Sequence, residues 1–112
     1  MVEILKALAD ETRLRILAQI IKSEMCVCEM EACLGLTQSN ASRHLTVLKK
    51  AGIMESNKTA QWTYYKISND FIKNNQALYA YLLQKITELP SYQRDAENFA
   101  TCKVQDLCSC NK

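Results

Sequence analysis

The sequence predicts a mostly α-helical single domain carrying one small β-hairpin, and three observations lead there. Two glycines and one proline interrupt 112 residues in which Leu, Ile, Ala, Lys, Gln and Glu recur, a composition that favours helix over sheet. Apolar residues return at three- and four-residue intervals through most of the chain, in blocks parted by capping residues. Only between Ile53 and Ile67 does the interval change toward two.

Ile4, Leu5 and Leu8 mark a first short amphipathic helix, and Asp10, a good N-cap, opens a second through Leu14, Leu17 and Ile21. Ser23 to Met25 breaks the pattern. Cys28 to Leu34 then forms a third helix, with Val27, Met30 and Leu34 as its apolar stripe and Gly35 as its stop. Thr37 caps a fourth, in which Ala41, Leu45 and Leu48 form a buried stripe and Gly52 supplies the left-handed end. Helix, glycine-bearing turn, helix is the spacing of a helix-turn-helix. The rest of the fourth helix carries Gln38, Ser39, Asn40, Ser42, Arg43, Thr46, Lys49 and Lys50, short hydrogen-bonding groups followed by cations. Such chemistry suits base edges and phosphates, so these residues are the candidate DNA contacts.

Ser56 and Asn57 are turn formers ahead of a two-residue alternation, Trp62, Tyr64 and Lys66 on one face and Thr63, Tyr65 and Ile67 on the other. This reads as a hairpin wing whose tip carries Lys58, a further candidate phosphate contact. Trp62 and the tyrosines are expected to pack the wing onto the core rather than to stack bases. Phe71 to Leu89 reads as one long helix with Leu78, Leu82, Ile86 and Leu89 on a stripe, closed by Pro90. That stripe is expected to meet the first helix and to form an isologous homodimer surface. Residues 1–90 are thus expected to be a DNA-binding and dimerisation domain, and 91–112 a Cys-containing tail.

No apolar run approaches the roughly 20 residues that cross a bilayer, and Met1 to Asp10 shows no export pattern. A soluble cytoplasmic protein with no membrane partner is expected, its six cysteines reduced and available as ligands or redox sensors. The net charge of +2 hides an asymmetry: residues 37–66 hold five basic side chains against Glu55 alone, while 1–36 hold four basic against six acidic. A local basic patch of this kind permits a polyanion as partner. Nothing suggests an enzyme: there is no Cys-x-x-Cys pair, Gly-rich phosphate loop or clustered acids, so a thiol enzyme or metal carrier is disfavoured.

The order of elements, and five strings within it, resemble the ArsR/SmtB family of metalloregulatory winged helix-turn-helix repressors, in its arsenic-responsive branch. The strings are Leu8 to Leu17 (LADETRLRIL), Cys26 to Met30 (CVCEM), Thr37 to Leu45 (TQSNASRHL), Leu48 to Ile53 (LKKAGI) and Trp62 to Ile67 (WTYYKI). The resemblance covers residues 1–90. It implies a homodimeric repressor that binds pseudo-palindromic double-stranded operator DNA and is released by a metal or metalloid. Two departures stand out: the wing tip reads Lys58-Thr59-Ala60-Gln61 where a glycine is usual, and the long helix lacks the Asp/His pairs of the zinc-sensing branch.

Cys26 and Cys28 are the expected sensing ligands. Two residues apart on a regular helix they would point about 200° from each other, so both meet one ion only if the helix start unwinds. Cys33 lies roughly 10 Å further along the axis and is read as a core thiol. In some relatives a third cysteine follows the pair closely; here that position is Glu31. Cys102, Cys108 and Cys110 are candidate further ligands, by folding back, by crossing the dimer, or as a separate site. Three thiolates suit As(III) or Sb(III), whereas zinc or cadmium usually takes four ligands. His44, the only histidine, is assigned to helix packing or DNA rather than to a metal. Sensing of Cd(II) or Pb(II), or of thiol oxidation or persulfides, is the alternative on the same fold.

Overall fold

The computed structural model describes residues 1–59 and 62–105, with side chains for 1–58 and 63–100. Among the described residues, seven helices and three strands follow in the order α1 (Val2–Leu8), α2 (Glu11–Ile20), β1 (Met25–Cys26), α3 (Val27–Leu34), α4 (Gln38–Lys50), β2 (Met54–Thr59), β3 (Trp62–Ile67), α5 (Asn69–Asn74), α6 (Gln76–Ile86) and α7 (Tyr92–Gln105). The predicted caps are in place. Arg13 N–H donates to Asp10 Oδ1 at 3.1 Å at the start of α2, and Asn40 N–H donates to Thr37 Oγ1 at 3.2 Å at the start of α4. Gly35 and Gly52 take the left-handed turns, at φ 69° and 80°.

The core forms where α1, α2, α3 and α4 meet the foot of the wing. Ile16, Leu17, Met30, Leu45, Leu48 and Ile53 are almost completely shielded from solvent, and Ala41 of the predicted α4 stripe joins them. Gln19 lies among them with its amide fully buried and neither amide atom hydrogen-bonded. An unsatisfied buried amide is destabilising by roughly 1–3 kcal/mol. The near-isosteric Gln19→Met variant is therefore expected to be more stable by about 1 kcal/mol, read as a midpoint of urea unfolding moved upward at unchanged slope.

Three features depart from the reading of the sequence. First, β1 is a short strand that pairs antiparallel with β3, Met25 opposite Tyr65 and Cys26 opposite Tyr64, so the sheet has the order β1-β3-β2. Second, the segment expected to be one helix from Phe71 to Leu89 is two, broken at Asn75, whose φ of −137° leaves the helical region. Asn75 instead turns its side-chain amide onto Phe71 O at 3.1 Å, the backbone-competing habit that makes Asn a poor residue for a helix interior. Third, residues 92–105 form α7, which packs on α2 and α3. Arg15 holds it: Nε and Nη2 donate to the two carboxylate oxygens of Asp95 at 2.8 and 2.9 Å, and Nη2 also donates to Leu34 O at 2.8 Å. The Lys22 ammonium over the Tyr92 ring adds a second tie.

Candidate thiol site and nucleic-acid interface

Cys26 ends β1 and is at the same time the N-cap of α3, with extended backbone at φ −95° and ψ 168°. Cys28 is the second residue inside the helix. Because one sulfur leaves from a strand end and the other from a helix turn, they converge: the Sγ–Sγ distance is 2.9 Å. The expectation that the helix start must unwind to bring them together is thereby corrected, since it treated Cys26 as helical. The pair is already assembled, and too closely for shared ligation. Two sulfurs holding one ion at about 2.3 Å each sit roughly 3.4–3.8 Å apart, so an entering ion spreads them by about half an ångström or more.

Glu29 completes this corner. Its Oε1 accepts Cys26 N–H at 3.1 Å while its own N–H donates to Cys26 Sγ, a capping box in which a cysteine takes the place usual for serine or threonine. Burial pushes the Cys26 thiol up from its ordinary value; the N–H groups of Glu29 and Cys28 oppose this, and the Glu29 carboxylate adds to it. Cys26 and Glu29 are each only 1% exposed, and Tyr64 of the wing covers Cys26. Sequence reasoning passed over Glu29, although Glu three residues after a cap is the usual signal for such a box. Cys33 is buried in the core, as expected.

Among the described residues no group of three or more His, Cys, Asp or Glu side chains is placed to hold a metal ion. Cys108 and Cys110 lie outside the described residues, and Cys102 is described only through the backbone of α7.

The candidate DNA-contacting face of α4 is open. Gln38, Ser39, Asn40, Arg43, Thr46, Lys49 and Lys50 are exposed and Ser42 half-buried, with Lys58 exposed on β2. Arg43 Nη2 makes a long bond to Asn40 Oδ1 at 3.4 Å, and Thr46 Oγ1 donates to Ser42 O at 2.9 Å. Lys49 Nζ donates to Ser56 Oγ at 2.8 Å, which ties α4 to the wing. His44 points the other way, buried, with Nδ1 3.1 Å from Arg13 Nη1. A guanidinium only donates, so Nδ1 accepts and the ring is neutral there.

Burial lowers the His44 pKa below its ordinary value, Asp10 opposes this, and Arg13 and Arg43 reinforce it. The unfolded chain then takes up the proton more readily than the folded one. Stability is complete above about pH 6.5 and falls as pH drops from there toward the folded-state value. Thermal unfolding between pH 7.5 and 5 is expected to show this loss in the wild type and a flatter profile in His44→Gln.

Residues 10–56, from the cap of α2 to the first wing strand, match the family described as bacterial regulatory protein, arsR family. The arsenic resistance transcriptional regulator ArsR1 of Pseudomonas putida is 43% identical over 65 residues, which cover 57% of this chain and 51% of that protein. The solved structure of HlyU from Vibrio cholerae is similar at TM-score 0.61 and 37% identity, over 72% of this chain and 88% of HlyU. The chain belongs to the ArsR family. A solution structure of a homodimeric winged helix-turn-helix DNA-binding domain from Mycobacterium bovis, described as a possible ArsR-family regulator, matches this ArsR-family chain at TM-score 0.64 and 27% identity. It covers 75% of this chain and 78% of that one, and the fold is accordingly a winged helix-turn-helix. The chain spans about half the length of the P. putida relative. No helix among the described residues is long and apolar enough to cross a membrane.

Proposed function

We propose that the protein is a transcriptional repressor that binds operator DNA as a homodimer through α4 and the wing, and dissociates when As(III) or Sb(III) binds Cys26 and Cys28. One observation carries the reading: Cys26 belongs at once to the sheet of the wing, through its register with Tyr64, and to the cap of α3, the first helix of the helix-turn-helix. An ion that spreads the sulfurs and takes the Cys26 lone pairs competes with the Glu29 N–H for the cap. The two DNA-contacting parts then shift relative to each other, so ligand binding and DNA binding favour different arrangements of one junction. The exposed hydrogen-bonding and cationic face of α4 supports DNA as the partner. Homodimerisation is supported by the apolar cleft between α1, α2 and α6, about 300 Å³, lined by Leu8, Leu14, Leu78, Leu82, Ile86 and Leu89, with Leu5 and Tyr81 exposed near its rim elements.

The test is operator affinity with and without arsenite. Wild type is expected to bind in a salt-dependent manner and to lose at least tenfold in affinity on adding arsenite, whereas Cys26→Ser and Cys28→Ser bind operator normally and no longer respond. Equal wild-type affinity in both conditions would defeat the reading.

A further inference from the structure

Between the C-terminal ends of α1 and α4 lies a cleft of about 290 Å³, away from the cysteines. We propose that it binds a small amphipathic organic anion, a carboxylate carried on an aromatic or branched apolar body. Operator DNA competes with this anion for Lys50, a consequence that rests on the DNA-binding reading above.

The wall of the cleft is part apolar and part cationic. Ala7, which is buried, and Val47 and Ala51, which are half-buried, supply the apolar part. Lys6, Arg13 and Lys50 bring three positive charges, against Glu3, whose side chain is 82% exposed and so is screened by water. An apolar pocket with a few fixed polar groups is the usual form of a small-molecule site, and this one is at the small end of the usual range of about 300–1,000 Å³.

The charges on this wall are not used up within the chain. The Arg13 side chain is only 16% exposed, and its guanidinium is held on three sides: Nε donates to Ala7 O at 2.6 Å, Nη2 to Lys6 O at 3.3 Å and Nη1 to His44 Nδ1 at 3.1 Å. One N–H on each terminal nitrogen is left without an acceptor among the described residues, an arrangement that suits the two oxygens of a carboxylate. Among the described residues the one carboxylate in ion-pair range is Asp10, at 3.9 Å, which is engaged as the cap of α2. Lys6 and Lys50 are exposed, and neither ammonium has a hydrogen bond or ion pair among the described residues. Helix ends attract cations through their last carbonyls, but those of α4 are already served by backbone: Ala51, Gly52 and Ile53 N–H donate to Val47 O, Lys49 O and Leu48 O at 3.1, 3.0 and 3.0 Å.

A phosphodiester would meet the charge but has no apolar body to lay against Ala7, Val47 and Ala51, so the wall favours an organic carboxylate over the DNA backbone. Lys50 belongs to both surfaces, the wall of the cleft and the candidate DNA-contacting face of α4. An anion paired with Lys50 therefore withdraws one cation from DNA.

The probe is 2-naphthoate, titrated into the full-length protein by calorimetry and by amide proton–nitrogen NMR. Saturable one-to-one binding is expected, with the largest shifts at the backbone amides of Ala7, Val47 and Ala51. Acetate, which has the charge without the body, and 2-naphthalenemethanol, which has the body without the charge, are expected to bind at least tenfold more weakly. Lys6→Glu is expected to weaken naphthoate binding at least fivefold by charge reversal at an exposed position, and Ala51→Leu at least as much by filling the apolar wall. Saturating naphthoate is expected to weaken operator binding about fivefold at constant ionic strength, and operator to weaken naphthoate binding by the same factor. No saturable binding, equal binding by wild type and both variants, or shifts centred on Leu78 to Leu89 of α6 would overturn the site. Should Lys6→Glu weaken operator and unrelated duplex alike in a protein that binds no naphthoate, the cleft is a phosphate contact and the proposal fails. Naphthoate bound at the cleft with operator affinity unchanged would overturn the competition. A protein that binds naphthoate there but binds no duplex DNA would sink the DNA-binding reading and leave the site standing.

Discussion

Replacing Arg15 with methionine is expected to destabilise the fold by about 3–5 kcal/mol, a large part of the 5–15 kcal/mol that holds a domain of this size together. The Arg15 guanidinium forms three short hydrogen bonds, two to Asp95 and one to Leu34 O, and Asp95 is 1% exposed. With Arg15 gone, Asp95 keeps a carboxylate out of water with, among the described residues, only the largely exposed Arg94 as an ion-pair partner, at 3.7 Å. An unpaired buried charge is far more costly than a pair is favourable, because desolvation is then no longer offset. The double variant Arg15→Met/Asp95→Leu removes both charges and is expected to recover most of the loss, a non-additivity that a double-mutant cycle measures. Urea unfolding decides the matter. A single variant within about 0.5 kcal/mol of wild type would mean that the clamp does not hold α7 to the body.

That clamp also marks where the sequence stopped being legible. The helix-turn-helix was readable because its signals are local: Thr37, the Ala41-Leu45-Leu48 stripe and Gly52 lie within one helix length, and each does in the structure what its chemistry suggests. The wing was readable for the same reason, through period-two alternation. Arg15 and Asp95 stand 80 residues apart, and no periodicity links a guanidinium on α2 to a carboxylate on α7. The break at Asn75 had a signal, the pair Asn74-Asn75, which the strong Leu78-Leu82-Ile86 stripe outweighed. The opening of α7 had one too: Ser91, whose carbonyl accepts Asp95 N–H at 2.9 Å, precedes Tyr92, Asp95 and Phe99 at helical spacing.

At the candidate site the residue types were legible and their geometry was not. The two cysteines stand out in the sequence as near neighbours, but their relation in space depended on whether Cys26 is helical. That was settled by a two-residue strand pairing with Tyr64 and Tyr65, a long-range event too short to leave a pattern of its own. In the proposed switch, therefore, the helix need not unravel for a ligand: the two sulfurs already lie together, at the point where the cap of α3 and the edge of the wing share one residue.

Arg43→Ala is expected to weaken specific operator binding by about 30-fold to 10⁴-fold while leaving stability and the thiol site untouched. Arg43 is exposed on the outer face of α4, and the 3.4 Å contact to Asn40 is a weak restraint that a better acceptor displaces. Its guanidinium fork matches the paired acceptors of a guanine edge, and one such contact discriminates by about 1–3 kcal/mol. In the proposed homodimer, two copies of Arg43 on a pseudo-palindromic operator would double that, which gives the stated range. Lys58→Ala on the wing serves as the contrast: loss of a phosphate contact weakens operator and unrelated DNA alike and lowers the salt dependence by about 0.9 per site removed. Measuring both variants on operator and on random duplex, across salt, separates the two roles. If Arg43→Ala loses affinity equally for both duplexes, the residue holds backbone; if it loses none, α4 does not present this face to DNA and the reader lies elsewhere on the molecule.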